Sequence, residues 1–260
     1  MREFNKVDHW DSAADRYEKT AHPYTARYVE AALAHVPLTP ASRVLDIAAG
    51  TGALALAAAR TGAQVLAMDF SPGMVARIAA KAVPHVEARV MDGQALDLPD
   101  AGFDAVFSIF GVFMFPDWRK GLAEMARVTR PGGYGVVAVW QDRGAGAFML
   151  LGQLIRRLFP ERDLSPMPEA MAILSTLEGL SGELVEAGYR DPHIERVTRD
   201  FDLNMAMLDD LDALFGPSPD WTSLDATQKD VIVSELRRIA GGRPELPIPS
   251  TALIGVARRG

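Results

Sequence analysis

Three aspartates and two glycines have the types and spacing of a ligand-holding set: Asp46, Gly50, Gly52, Asp69 and Asp92. A carboxylate accepts hydrogen bonds from hydroxyls and amides and balances a cationic group. A glycine lets a ligand approach the backbone with no Cβ in the way. Asp46 lies in the run Val44-Leu45-Asp46-Ile47-Ala48-Ala49-Gly50-Thr51-Gly52, whose apolar start suits a buried strand. The stretch that follows, Ala53–Arg60, is built mainly of strong helix formers. A strand that feeds a helix through a glycine turn makes a nucleotide-binding corner. Gly50-Thr51-Gly52-Ala53-Leu54-Ala55 also satisfies the G-x-G-x-x-G/A pattern of dinucleotide sites, with Asp69 seventeen residues after Gly52. A diphosphate would be repelled by Asp46, whereas a ligand carrying a cationic amino-acid end would be attracted.

The elements that must carry these residues alternate regularly. Gln64–Met68 reads as a second strand ending in Asp69, and Ser71-Pro72 starts a helix with an N-cap hydroxyl and a proline at its first position. Val86–Val90 reads as a third strand leading into Met91-Asp92-Gly93-Gln94, and Phe103–Ile109 as a fourth. Pro131-Gly132-Gly133 reads as a turn before a fifth strand, Tyr134–Trp140.

In this register the chain resembles the class I S-adenosylmethionine-dependent methyltransferases, and among them the small-molecule enzymes of the ubiquinone/menaquinone-biosynthesis type. Their first motif reads roughly D/E-x-G-x-G-x-G; here Ala48 stands in place of its first glycine. The resemblance covers roughly residues 40–140 and four motifs in order. It implies an α/β, Rossmann-like fold with a seven-stranded, mostly parallel sheet in the order 3-2-1-4-5-7-6, helices on both faces and a helical cap. It implies S-adenosyl-L-methionine as cofactor and S-adenosyl-L-homocysteine as product. By the resemblance, Asp46, Ala48, Gly50, Thr51 and Gly52 form the cofactor turn, and Asp69 accepts from the ribose hydroxyls. Asp92, Gly93 and Gln94 meet the adenine, with Phe70 and Met74 on its faces. Ser108, Ile109 and Phe110 border the cofactor from the fourth strand, and Tyr17 approaches the methionine moiety from a helical leader that acts as a lid.

The segment Phe110–Asp117 faces the methyl end in relatives and is strongly aromatic here. An apolar or aromatic small-molecule acceptor is therefore expected, bordered by Phe113, Met114, Phe115, Trp140 and Met149. Oxygen is slightly preferred over nitrogen or carbon as acceptor atom. His22 is the candidate general base, placed in a leader loop because Pro23 disfavours helix at the preceding residue. An acidic phenol or carboxylate acceptor would need no base. Two alternatives stay open: the same scaffold with altered chemistry (a cyclase, a decarboxylase or a non-catalytic binder), and an NAD-dependent oxidoreductase using Gly50–Ala55.

Composition narrows the rest. The chain has 260 residues, 48% of them hydrophobic, enough for one substantial core. Its net charge of −7 and lack of lysine-arginine runs disfavour a nucleic-acid substrate. Zero cysteines exclude disulfides, thiolate metal sites and cysteine nucleophiles, and no metal is expected. No apolar amino-terminal signal or membrane-length run is present, so a cytoplasmic location is expected, with the oligomeric state open. Residues 1–40 are expected to form a helical lid, 41–143 the cofactor-binding core, and 144–177 a helical cap insertion. Residues 178–260 should complete the core around a second helical insertion at 203–240, all within one structural domain.

Overall fold

A computed structural model of the chain describes residues 6–141, 146–165, 167–215 and 218–260. Helix α1 (Val7–Thr25) passes through a 3-10 turn, Ala26–Tyr28, into α2 (Val29–Ala34). Then follow β1 (Arg43–Ile47), α3 (Ala53–Ala59), β2 (Gln64–Asp69), α4 (Pro72–Ala80), β3 (Val86–Val90) and β4 (Phe103–Ile109). After a 3-10 turn at Val112–Met114 come α5 (Trp118–Val128), β5 (Thr129–Trp140), α6 (Gly146–Leu158), α7 (Glu169–Leu174) and α8 (Leu177–Glu186). The described chain ends with β6 (Tyr189–Asn204), a 3-10 turn at Met205–Asp210, α9 (Leu211–Phe215), α10 (Pro219–Thr222), α11 (Ala226–Ala240) and β7 (Glu245–Arg259).

The seven strands form one sheet in the order β3-β2-β1-β4-β5-β7-β6. β1 is parallel to β2 and β4, β2 to β3, and β4 to β5. The order reverses between β1 and β4, which puts a crevice outside their carboxyl ends. Val44, Leu45 and Ile47 of β1 are buried, as a strand covered on both faces must be. Local chemistry sets the helix starts: Ser71 accepts from the Met74 amide, Asp117 from Lys120 and Thr176 from Gly179, while Asp225 and Gln228 form a capping box on α11.

Two compact units divide the chain. One comprises Met1–Val139, Ile173–Val197 and Ala252–Gly260; the other comprises Trp140–Ala172 and Thr198–Thr251. The second has its own apolar core, in which Leu151, Leu154 and Ile155 join Leu208, Phe215, Trp221, Ile232 and Leu236.

Several local expectations are corrected. The break expected at His22-Pro23 is absent, because α1 runs on through Pro23 to Thr25. Proline removes one backbone donor and disfavours helix at the residue before it; both are preferences that tertiary contacts override. Pro131-Gly132-Gly133 is not a turn preceding β5 but lies inside it: Phe103 pairs with Thr129 and Ala105 already with Tyr134, so β5 bulges there, with Gly132 at φ 73°. The expected cap at 144–177 is not one continuous helix: α7 stops at Leu174 and Thr176 caps α8. The expected helical insertion at 203–240 opens with the tail of β6 and a 3-10 turn before α9. Residues 216 and 217 of the second expected insertion lie outside the described residues, as do residues 144, 145 and 166 of the expected cap, 142 and 143 of the expected core, and the first five of the amino terminus.

Candidate functional site

The chain leaves β1 through Ala48 at φ 55°, Gly50 at φ 54° and Gly52 at φ 91°, three left-handed residues within a five-residue turn. Ala48 takes up this left-handed conformation with its methyl group beside Gly111. A Cβ added to Gly111 would fall 2.5 Å from the Ala48 Cβ, so the missing side chain of Gly111 makes room for the methyl that replaces the family glycine. Gly52 closes the turn as N-cap of α3. A Cβ there would meet Ile78 Cγ1 at 3.1 Å in a strained backbone region.

Two carboxylates hold this turn from neighbouring strand ends. Asp69, at the end of β2, accepts from the Gly50 amide at 2.9 Å and the Ser71 amide at 3.0 Å. Asp46, in β1, accepts from the Ala55 amide at 3.1 Å. Both are almost wholly buried, 2% and 5% exposed for Asp46 and Asp69. Burial raises both pKa values. Asp46 is pushed up to about 8, with Asp69 adding to the effect and the Ala55 amide opposing it. Asp69 is raised although the Ser71, Gly50 and Phe70 amides pull the other way. A pair of buried carboxyls beside an open backbone turn is a site that a cation would suit.

Helix α1 covers the turn. Tyr17 lies against Gly50, where an added Cβ would be 3.2 Å from its Cε1. Burial pushes the Tyr17 phenol up to about 12, with Thr25 opposing through a hydrogen bond. His22 lies in this helix rather than in a loop, and its Nδ1 is 2.7 Å from Thr51 Oγ1. Burial lowers the His22 pKa, and Lys81 lowers it further against the opposing Glu18. Tyr17, His22, Asp46, Ala48, Thr51 and Ile109 line a single cleft together with Thr25, Val29, Ala49, Ala53 and Leu54. Among these, Thr25, Val29 and Leu54 carry no motif signature and were not singled out from the sequence.

The other expected site residues spread outward from the cleft. Phe110, at φ 60°, is buried with its ring 5.3 Å edge-on from Tyr28. Ser108 is buried and its hydroxyl accepts from the Val112 amide at 3.1 Å. Phe70 follows β2, and Met74 is buried in the first turn of α4. Asp92 Oδ1 accepts from the Gln94 backbone at 2.9 Å and its side chain at 3.1 Å, while Gln94 Oε1 accepts from the Asp117 amide at 2.8 Å.

Phe113 and Met114 sit in the 3-10 turn after β4, which replaces the extended run that a single pocket-lining face would require. Phe115 fills a slot between two glycines: a Cβ on Gly93 would lie 2.6 Å from its Cζ, and one on Gly121 2.5 Å from its Cδ2. Phe115 therefore braces the Asp92-Gly93-Gln94 loop. Trp140, at the end of β5, and Met149, in α6, belong to the second compact unit. Among the described residues no group of three or more His, Asp or Glu side chains is arranged to hold a metal ion, and no helix is long and apolar enough to cross a membrane.

Comparison with known proteins bears on the same segment. Residues 44–133 match the family described as "Methyltransferase domain". The demethylmenaquinone methyltransferase of Thermus thermophilus is 37% identical over 194 residues, which cover 65% of this chain and 86% of that protein. That of Corynebacterium efficiens is 41% identical over 141 residues, 53% of this chain and 60% of that protein's length. Among solved structures, the YcgJ protein of Bacillus subtilis superimposes with a TM-score of 0.59 at 21% identity, covering 90% of this chain and 99% of that one. A phosphoethanolamine N-methyltransferase of Haemonchus contortus also gives 0.59, at 17% identity, with 100% of this chain and 60% of that one covered. These two structural likenesses speak for the fold.

Proposed function

The chain belongs to the class I S-adenosylmethionine-dependent methyltransferases, and from that premise we propose that it transfers a methyl group to an apolar, aromatic small molecule of quinone-like chemistry. The observation that carries the cofactor assignment is the pair of buried carboxylates, Asp46 and Asp69, set at adjacent strand ends around a glycine turn; the acceptor class rests on the demethylmenaquinone methyltransferases. Their chemistry fits a ligand with one cationic end and a hydroxylated sugar, and disfavours the diphosphate of a dinucleotide.

Asp46 would balance the ammonium of the cofactor's amino-acid end, with Tyr17 covering it. Asp69 would accept from the ribose hydroxyls, and Asp92, Gly93 and Gln94 would border the adenine between Phe70 and Met74. When bound, S-adenosylmethionine supplies an electrophilic methyl group on a sulfonium, transferred in line to the acceptor. The protein's part is to orient the acceptor and exclude water; holding reactants in attack geometry accounts for several kcal/mol of barrier lowering.

Ser108, Ile109 and Phe110, at the end of β4, lead into Phe113 and Met114, which we assign to the acceptor side. Phe115 contributes by bracing the adenine loop. The demethylmenaquinone methyltransferases support a quinone-type ring as acceptor; oxygen is only slightly preferred over carbon or nitrogen as acceptor atom, and product analysis decides among them. A cytoplasmic location belongs to the same proposal.

His22 is the proposed base. In the tautomer whose Nδ1–H donates to Thr51 Oγ1, Nε2 is the basic nitrogen, and burial lowers the pKa of the ring. Replacing it with glutamine should lower the rate at least tenfold and flatten the acidic limb of the pH profile. An unchanged profile removes His22 from proton transfer.

Calorimetric titration with S-adenosylmethionine, S-adenosylhomocysteine and NAD, followed by mass-spectrometric screening of reduced quinones and phenols, tests the whole assignment. Adenosyl binding with a +14 Da product establishes it. Adenosyl binding without any methylated product turns the assignment toward a non-methylating relative. NAD binding alone overturns it in favour of an oxidoreductase.

A further inference from the structure

Helix α1 carries Asp11, Asp15, Glu18 and His22 at the spacing i, i+4, i+7, i+11, which places all four on one helical face. Each has a partner on α4, on its flanks or on the glycine turn. Asp11 Oδ1 accepts from the Ser71 hydroxyl and, at 2.8 Å, from the Gly73 amide. Asp15 pairs with Arg77 at 3.0 Å, and Glu18 with Lys81 at 2.6 Å and Arg77 at 3.4 Å. Lys81 also donates to the Thr51 carbonyl at 2.7 Å, so one ammonium joins the helix to the cofactor turn, where His22 makes the last contact.

We propose that this stripe is a clasp that holds α1 over the cofactor turn, with Asp11 as its principal positioning residue. Three features single out Asp11. Its carboxylate completes the capping of a helix belonging to another part of the fold. It does so beside Gly73, whose missing side chain admits it: a Cβ there would lie 3.1 Å from Asp11 Oδ1 and 3.2 Å from its Cα. Its partner Ser71 also donates its amide to Asp69, which ties the clasp to the carboxylate assigned to the ribose.

The Asp15–Arg77 pair is exposed and the Glu18 pairs are only part-buried, so each is individually weak. They keep the helix in register, so that Tyr17 stays against Gly50 and His22 against Thr51. Asp11 touches neither cofactor nor acceptor in this scheme; it acts through the position of α1.

The inference rests on the cofactor assignment above, and its test separates the two. Native protein, Asp11→Ala and Asp11→Asn are compared by amide hydrogen exchange without ligand and by stopped-flow dissociation of S-adenosylhomocysteine. Asparagine keeps an oxygen that can accept from Ser71 and Gly73; alanine does not. Asp11→Ala should raise exchange along α1 and at Gly73 at least fivefold, and speed product dissociation at least fivefold. Asp11→Asn should stay near native in both, and exchange in β1 and β4 should be unchanged in every variant. Native-like exchange and dissociation in Asp11→Ala overturn the clasp, as does Asp11→Asn behaving like alanine. Failure of native protein to bind S-adenosylhomocysteine instead refutes the cofactor assignment, and the ligand-free exchange still decides whether the clasp exists.

Discussion

Asp46→Asn should make the ligand-free protein more stable and the cofactor site useless, with a pH dependence that identifies the cause. Asparagine keeps the volume and retains an acceptor for the Ala55 amide, but cannot ionise. In the unfolded chain Asp46 titrates near 3.8 and in the folded chain near 8. Between these values the native state holds a proton that the unfolded state has released. Native stability therefore falls as pH rises through this window, and the contribution is fully present only below about pH 4. At 1.36 kcal/mol per unit, the full window sets a ceiling on the order of 5 kcal/mol. Urea denaturation at pH 4.5, 6, 7.5 and 9 reads it directly. The two proteins should lie within about 1 kcal/mol of each other at pH 4.5, and the variant should lead by about 2 kcal/mol or more at pH 7.5. A variant-minus-native difference that is flat across pH, or a variant less stable at pH 7.5, refutes the reasoning. The same linkage makes cofactor binding strengthen from pH 6 to 8, because a cation favours the ionised carboxylate.

Other perturbations probe the turn and its surroundings. Gly111→Ala should cost about 2 kcal/mol by crowding the Ala48 methyl, and adding Ala48→Gly should recover at least half of that; additive urea midpoints would show that the two do not share the space. Gly93→Ala should drive Phe115 from its slot and weaken S-adenosylhomocysteine binding about tenfold while leaving α1 exchange native, measured by calorimetry and hydrogen exchange. Unchanged affinity would mean that the loop does not hold the adenine. Asp69→Ala leaves the Gly50 and Ser71 amides without their acceptor and removes the proposed ribose contact. A fall of about 1–3 kcal/mol in stability with at least tenfold weaker binding is expected by thermal shift and calorimetry; native affinity would exclude Asp69 from the site.

The alternation of apolar runs with helix formers, the two glycines and the acidic strand ends were all legible in order, since strand burial, helix propensity and positive φ are local demands that the sequence must meet residue by residue. β1, β2, β3 and β4 accordingly fall where the periodicity puts them, within a residue at their ends. Other features are not local. Pro23 remains inside α1, beside a His22 that contacts Thr51, although its own propensity argues for a break. Pro131-Gly132-Gly133 has the composition of a turn, and only pairing with β4 makes it a bulge. The Ala48 departure from the family motif is explained by Gly111, and the role of Phe115 by Gly93 and Gly121. Asp11 shares a helical stripe readable from spacing, yet spacing does not name Ser71 and Gly73 as its partners. The sequence by itself determined the strands, the turn and the charges offered to a ligand, because each follows from neighbours along the chain. Which side chains close on that turn, and which carboxyls are buried with their pKa values raised, depends on contacts between distant segments, and only the tertiary structure decided them.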